Sequence, residues 1–319
     1  MTANPQWAHD RAQPIGFDGP LVDFDDANFD PWRIQPVRHH LCEHPLLQLP
    51  ALVGLGQRLE ALDSIRTHDG GATAGTPFGE APDLHPNRKS AAGTLGDVAA
   101  ANAWMSLLNV QIDPTYRELV GTVLDSIQAQ VERHDPGMSH RSGWIFVTSP
   151  NAVTPFHFDK EHNFILQVHG RKRVYVWDPT DTVVASEHAR DRFHHRHDRH
   201  LLQWREEFRE RAHVFDLGPG EGAYMPSTAP HMVENGDGPS VTASFTYYTH
   251  STRRDALLHT AHSILREAGV TPPPVGRHGW LDAATHAGIF AAAGMRRIAT
   301  TLAGKPELSR RARFALVAQ

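Results

Sequence analysis

From Trp144 to Tyr248 the chain is a succession of short β-rich runs, each closed by glycine or proline, ending in HVFDLGPGEGAYMPSTAPHMVENGDGPSVTASFTYYT. Short strands with turn signals at such intervals point to an all-β barrel or sandwich. In the last run Ser240, Thr242, Ser244 and Thr246 fall on one face and Val241, Ala243, Phe245 and Tyr247 on the other. Side chains alternate along a strand, so one side of the sheet is apolar and the other suits a polar ligand cavity.

Helical patterns flank this β region. LPALVGLGQRLEALD, 49–63, carries apolar residues at helical spacing, and DPTYRELVGTVLDSIQAQVERH opens with Asp113 as N-cap and Pro114 at the first helical position. Trp104 to Val110 has strand composition, and the Gly, Pro and Asp cluster of 69–96 reads as a long loop. After Thr249 the pattern returns to helix, in 251–269 and from Leu281 to about Thr301. The expected organisation is an irregular lead-in at 1–36, a catalytic or binding domain at 37–250 and a helical extension at 251–319. Hydrophobic residues make up 40% and charged residues 21% of the 319, as in ordinary globular chains. One cysteine, Cys42, excludes internal disulfides. No apolar run approaches the ~20 residues of a membrane span and the start does not read as a signal peptide, so a cytoplasmic protein is expected.

The run TPFHFDKEHNFILQVHGRKRVYVWDP, 154–179, holds the candidate chemistry. Gly170-Arg171 has the form of a two-residue II′ hairpin loop, which pairs His169 with Lys172 and Asn163 with Asp178. Odd residues of the first strand then share a face with even residues of the second. If that strand runs unbroken back to His157, then His157, Asp159, Asn163 and Lys172 point the same way. An imidazole and a carboxylate at i and i+2 can reach one metal ion, and a facial triad needs one more imidazole. Alternatively the pair belongs to a polar strand in a chain with 23 histidines. His231 is the candidate third ligand, or else it caps a strand end.

Residues 154–178 carry T-x-x-H-x-D, an Asn four residues after the Asp, and a G-x-K turn. They resemble the jumonji-type (JmjC), cupin-like family of Fe(II)- and 2-oxoglutarate-dependent dioxygenases, notably its asparaginyl hydroxylases and bacterial cupin-like members. The resemblance extends loosely from about Pro36 to Thr249. It implies a mainly β fold, a double-stranded β-helix (cupin or jelly-roll barrel) with flanking N- and C-terminal helices. It also implies that His157, Asp159 and His231 hold iron, with 2-oxoglutarate as cosubstrate and hydroxylation of a C–H bond as the reaction. Lys172 and Thr154 would bind the distal carboxylate. Asn163 would line the cosubstrate pocket, and Ser244 stands where the family has Asn. Strict alternation puts Thr154 on the wrong face, but Pro155 interrupts the ladder, so parity need not carry across it. The tyrosine that completes the family's carboxylate site has no clear counterpart, Trp104 and Ser106 being the candidates. Other 2-oxoglutarate enzymes use an Arg about ten residues past the last histidine; that position here is Val241.

HARDRFHHRHDRH, 188–200, matches no zinc spacing and reads as a solvated loop or lid before a helical segment, 201–213. From Ser251 the chain carries ten Lys or Arg against four Asp or Glu, a surplus of six against a net −5 overall. The reading preferred over a nucleic-acid contact is charged outer faces of helices packed on the barrel or on a second subunit, with DALLHTAHSIL as the apolar stripe and a homodimer as the expected assembly. The substrate is a small molecule or a polypeptide. A non-catalytic cupin that binds a ligand, and a zinc or manganese cupin, stay open as alternatives; neither needs Lys172 and Asn163 on the metal face.

Overall fold

A computed structural model describes residues 20–302. In chain order the strands are β1 (Val22–Asp23), β2 (Gln35–His39), β3 (Ile65–Asp69), β4 (Ala103–Leu107), β5 (Ser139–Thr148), β6 (Val153–His157), β7 (His162–His169), β8 (Lys172–Val176), β9 (His213–Leu217), β10 (Glu221–Met225), β11 (His231–Asn235) and β12 (Ser240–Tyr248). The α-helices are α1 (Leu49–Glu60), α2 (Ala81–Leu84), α3 (Ala91–Gly96), α4 (Pro114–His134), α5 (Glu187–Arg196), α6 (His250–Glu267) and α7 (Gly279–Leu302). An eight-stranded sheet in the order β1-β2-β10-β7-β12-β5-β4-β3 faces a four-stranded sheet in the order β6-β11-β8-β9, all antiparallel among the described residues. This is a double-stranded β-helix of the cupin type, with helices outside the larger sheet.

The alternation of β12 creates the two sides of the larger sheet. Val241, Ala243, Phe245 and Tyr247 are buried in one core with Leu119, Val123 and Ile127 of α4 and Leu52, Leu55 and Leu59 of α1. Asp113 caps α4 by accepting from the Thr115 and Tyr116 amides, and Pro114 occupies its first turn. The opposite face of β12 presents Ser244 and Thr246 to a cavity between the sheets. Ile165, Val174, Val176, Met225 and Val233 close the inter-sheet space beside it.

The expected hairpin does not form. β7 pairs with β10 and β12, whereas β8 pairs with β11 and β9 in the other sheet. Gly170 turns the chain from one sheet to the next at φ +72°, where a Cβ would lie 2.3 Å from the Pro239 carbonyl oxygen. The inward parity survives this change. Asn163 and Ile165 of β7 and Lys172 of β8 still meet, because the inner faces of the sheets oppose one another. Nor does the strand run unbroken to His157: β6 and β7 lie in different sheets.

Other expectations are corrected. The irregular lead-in of 1–36 supplies β1 and the start of β2, held by Val22 in the core, by Phe29 against Tyr224 and by Phe24 against Phe164; residues 1–19 lie outside the described part. The 69–96 loop contains the short helices α2 and α3, and the 201–213 segment forms only a 3-10 helix at Glu206–Arg211. The 188–200 tract is not a solvated loop. It forms α5, with Ser186 capping its start and Ala189, Arg190, Asp191, Phe193 and His194 buried. The face that α6 buries is not an apolar stripe either. Thr252, Leu258, His259, His262 and Ser263 are inside while Ile264 and Leu265 stay exposed, because Asp191 of α5 takes His259 and Arg266 as partners. No described helix is long and apolar enough to cross a membrane.

Candidate metal centre and cavity

β6 and β11 lie side by side with His157 directly opposite His231. Between that pair and the next, Thr154 opposite Val233, β6 advances three residues while β11 advances two. The extra residue is a bulge at Pro155-Phe156. It lets both Thr154 and His157 face inward while Phe156 packs outward on Trp177. Parity therefore breaks at Pro155.

Asp159 follows β6 by two residues, and its Oδ2 stands 3.5 Å from His157 Nε2 and 3.8 Å from His231 Nε2. Each imidazole donates its Nδ1 proton to a backbone carbonyl two residues earlier, Pro155 at 2.8 Å and Ala229 at 3.0 Å. That leaves both Nε2 lone pairs directed at the carboxylate. Burial, reinforced by neighbouring His157, pushes the His231 pKa down to about 3, so this ring stays neutral. For Asp159 burial opposes ionisation, but His157 and the Arg199 guanidinium outweigh it and hold the carboxyl well below its ordinary range. The two imidazoles and the carboxylate, with ligand atoms all within 4.8 Å of one another, form a triad that can hold a divalent transition metal.

Lys172 is buried, 5% exposed, in the same cavity, and among the described residues no carboxylate lies within ion-pair distance of it. The Phe146 ring lies 5.9 Å from its Nζ. Burial pushes its pKa down to about 7. Around it the wall carries polar atoms with no protein partner: Ser106 Oγ, Trp144 Nε1, Asn163 Oδ1, Ser244 Oγ and Thr246 Oγ1. Thr154 Oγ1 accepts the Trp104 indole N–H at 2.8 Å, which leaves the threonine hydroxyl proton for another acceptor. Orphaned groups of this kind are rare in protein interiors and mark a place for a polar ligand. The structure thus gathers His157, Asp159, His231, Thr154, Asn163, Lys172 and Ser244 around one cavity, with Trp104 and Ser106 beside them.

The sequence reading missed the outer wall. Arg199 Nη2 donates to Asp159 Oδ1 at 2.8 Å and its Nε to the Phe158 carbonyl, so one carboxylate oxygen is held and the other left toward the imidazoles. Phe78, from the expected loop, stacks on His157 with ring centroids 3.8 Å apart and planes within 3°. Arg66, Lys160, Glu161, Phe193 and Tyr248 complete this side. The helix that carries Phe193 and leads to Arg199 had a start signal, Ser186-Glu187, and an apolar pair four apart, Ala189 and Phe193.

Of the comparisons with known proteins, the family model agrees with the fold. No curated protein matches the chain. Solved structures with likeness include the ribosomal oxygenase YcfD from Escherichia coli in complex with cobalt and 2-oxoglutarate, 17% identical with a TM-score of 0.32, covering 56% of this chain and 40% of that one. Another E. coli YcfD structure is 15% identical with a TM-score of 0.41, covering 79% and 59%, and the DMSP lyase DddQ from Ruegeria pomeroyi is 14% identical with a TM-score of 0.23, covering 34% and 38%. In each case the match spans less than two thirds of the other protein. The model of the cupin-like domain matches residues 87–253, just over half of the sequence and the part that holds the triad and Lys172; this chain belongs to the cupin-like domain family.

Proposed function

We propose that the protein is an Fe(II)- and 2-oxoglutarate-dependent oxygenase that hydroxylates a C–H bond. One atom of dioxygen enters the substrate as hydroxyl, the other enters succinate, and CO2 leaves. The observation that carries this reading is Lys172, a buried ammonium with no carboxylate partner among the described residues, facing the cavity that also holds the His157-Asp159-His231 triad. A zinc or manganese lyase, or a non-catalytic cupin, needs no 2-oxoglutarate carboxylate pocket on the metal face.

His157, Asp159 and His231 would hold the metal, and iron with 2-oxoglutarate supplies the oxidising power. The protein's residues bind, orient and shield. Lys172 and the Thr154 hydroxyl answer the distal carboxylate of the cosubstrate, with Ser106, Asn163, Ser244 and Thr246 offering further hydrogen bonds along the wall. Arg199 fixes the orientation of Asp159, and Phe78 covers one face of His157 against water. No side chain acts as a general base.

Anaerobic addition of Fe(II) and 2-oxoglutarate to the purified protein should give a weak visible charge-transfer band. Lys172→Ala should weaken cosubstrate binding about ten- to a hundredfold, the worth of a charged hydrogen-bonded contact. Absence of the band in wild-type protein, together with no succinate formed in air, would overturn the proposal.

A further inference from the structure

The outer half of the cavity carries a positive charge that the proposed metal and cosubstrate leave unanswered. Arg66, Lys160, Lys172 and Arg199 line the cavity against only Asp159 and Glu161, an excess of two positive charges. A divalent metal and a dianionic cosubstrate cancel one another, so this excess persists once both are bound. Lys172 is met by the cosubstrate. Arg199 is engaged by Asp159 and the Phe158 carbonyl, and Lys160 Nζ donates to the His194 carbonyl while lying 5.2 Å from the Phe193 ring.

Arg66 is different. It projects from β3, opposite Ser106 of β4, and lies 4.2 Å over the Phe78 ring, the same ring that stacks on His157. One of its five N–H groups donates to the Phe78 carbonyl, and among the described residues no carboxylate lies within ion-pair distance, Asp159 and Asp83 acting on it only from further away. A partly buried guanidinium so placed presents a fork suited to a carboxylate. The cavity has about 200 Å³ of free volume, part of which the metal and cosubstrate would take, so the room left for a substrate lies well below the roughly 300–1,000 Å³ of pockets that take drug-sized ligands. Phe78 gives the surface beside Arg66 an apolar character, whereas Phe193 is fully buried beneath the Arg199 guanidinium.

Resting on the oxygenase reading above, we infer that the substrate is a small carboxylic acid, its carboxylate held by Arg66 beside Phe78 and its apolar body lying along Phe78 toward the metal. A substrate with a compensating ammonium, or an uncharged one, would leave the Arg66 end unpaired.

The test uses the full-length protein with Fe(II) and 2-oxoglutarate and a panel of alkyl and aryl carboxylic acids, each beside its methyl ester, with an acidic peptide and alkyl phosphates as further arms. The charge-transfer band of the wild-type protein is recorded first. Its absence sinks the oxygenase reading and this inference with it, whereas its presence followed by failure below overturns this inference alone. Succinate release stimulated by at least one acid about tenfold more than by its ester is expected. In Arg66→Gln the acid-over-ester ratio should collapse toward one through a raised KM, and Arg66→Lys should restore part of it. Equal stimulation by acids and esters, stimulation only by peptide or phosphate, or an unchanged ratio in a folded Arg66→Gln protein overturns the inference.

Discussion

Lys172 couples the cavity to pH in a direction that can be worked out. Burial holds its pKa near 7 in the free protein, so above that pH the amine is mostly neutral and must take up a proton to pair with a dianion. Binding of 2-oxoglutarate should therefore weaken as pH rises above about 7, by up to about tenfold per unit, and level off below it. In Lys172→Met this slope should vanish; an anaerobic titration of the band at several pH values reads it. The unfolded chain keeps the Lys172 proton up to its ordinary pKa of 10.5. Between about 7 and 10.5 the unfolded state thus binds more protons, and this group makes the unliganded fold more stable with rising pH. Arg199 offers a second test. By holding Asp159 Oδ1 it leaves Oδ2 toward the imidazoles, and Arg199→Ala should weaken metal binding about ten- to a hundredfold, as loss of an orienting partner does. Competition with a metal-binding dye measures this. The difference between these two residues explains what was legible. His157, Asp159 and Lys172 fall within one short run whose spacing marks them, although no single strand alternation links them, since β6 and β7 lie in different sheets. Arg199 meets Asp159 across a separation of 40 residues, and nothing in its local pattern names that partner.

Among the elements, the turn at Gly170 shows how a sound pattern can give a wrong pairing. A Gly-first two-residue turn marks a reversal of the chain, but it does not fix which sheet each strand joins. Burial decides that: apolar residues of β7 and β8 must both reach the space between the sheets, and separate sheets achieve it through facing surfaces. The inward set therefore came out of alternation alone, since Asn163, Ile165, Lys172 and Val174 keep their parity whichever strand they bond to. Helices α1 and α4 were legible from periodicity, α4 also from its Asp113 cap, and α6 was legible as a helix although its buried face is not the apolar stripe expected of it. The four- and six-residue helices α2 and α3 are too short for periodicity to register. Gly170 itself is testable. At φ +72° any other residue is strained, and the Pro239 carbonyl leaves no room for a Cβ. Gly170→Ala should cost at least about 1–3 kcal/mol in denaturant unfolding, and it should also weaken 2-oxoglutarate binding, because Lys172 stands two residues away. A stability loss with unchanged cosubstrate affinity would mean that the turn does not position Lys172.

At the scale of the whole molecule, the C-terminal helices reach the centre through α5. Phe193 and Ala189 of α5 pack with Phe158, the residue before Asp159, and Arg199 follows the helix by three residues. On its other side α5 is gripped by α6: fully buried Asp191 accepts from His259 Nδ1 and from Arg266 Nε, both at 2.7 Å, and Arg196 pairs with Glu267 at 2.8 Å. Asp191 with His259 and Glu187 also has the spacing of a metal group, but an arginine already occupies the second oxygen, so this cluster reads as a clamp between helices. A charge buried this deeply is costly once its partner is lost. Removing the Arg266 side chain leaves an uncompensated carboxylate, and Arg266→Ala should lose about 3–5 kcal/mol in denaturant unfolding, moderated by the remaining His259 contact. Adding Asp191→Ala to that variant should recover part of the loss, since the pair is coupled and the stranded charge is gone. If α5 carries the effect inward, the single variant also binds metal more weakly, through displacement of Arg199, and the double variant recovers some of that affinity. Were stability to fall with metal affinity untouched, α6 would serve the fold without positioning the centre; a change of under about 1 kcal/mol in both variants would show that the clamp contributes little to either.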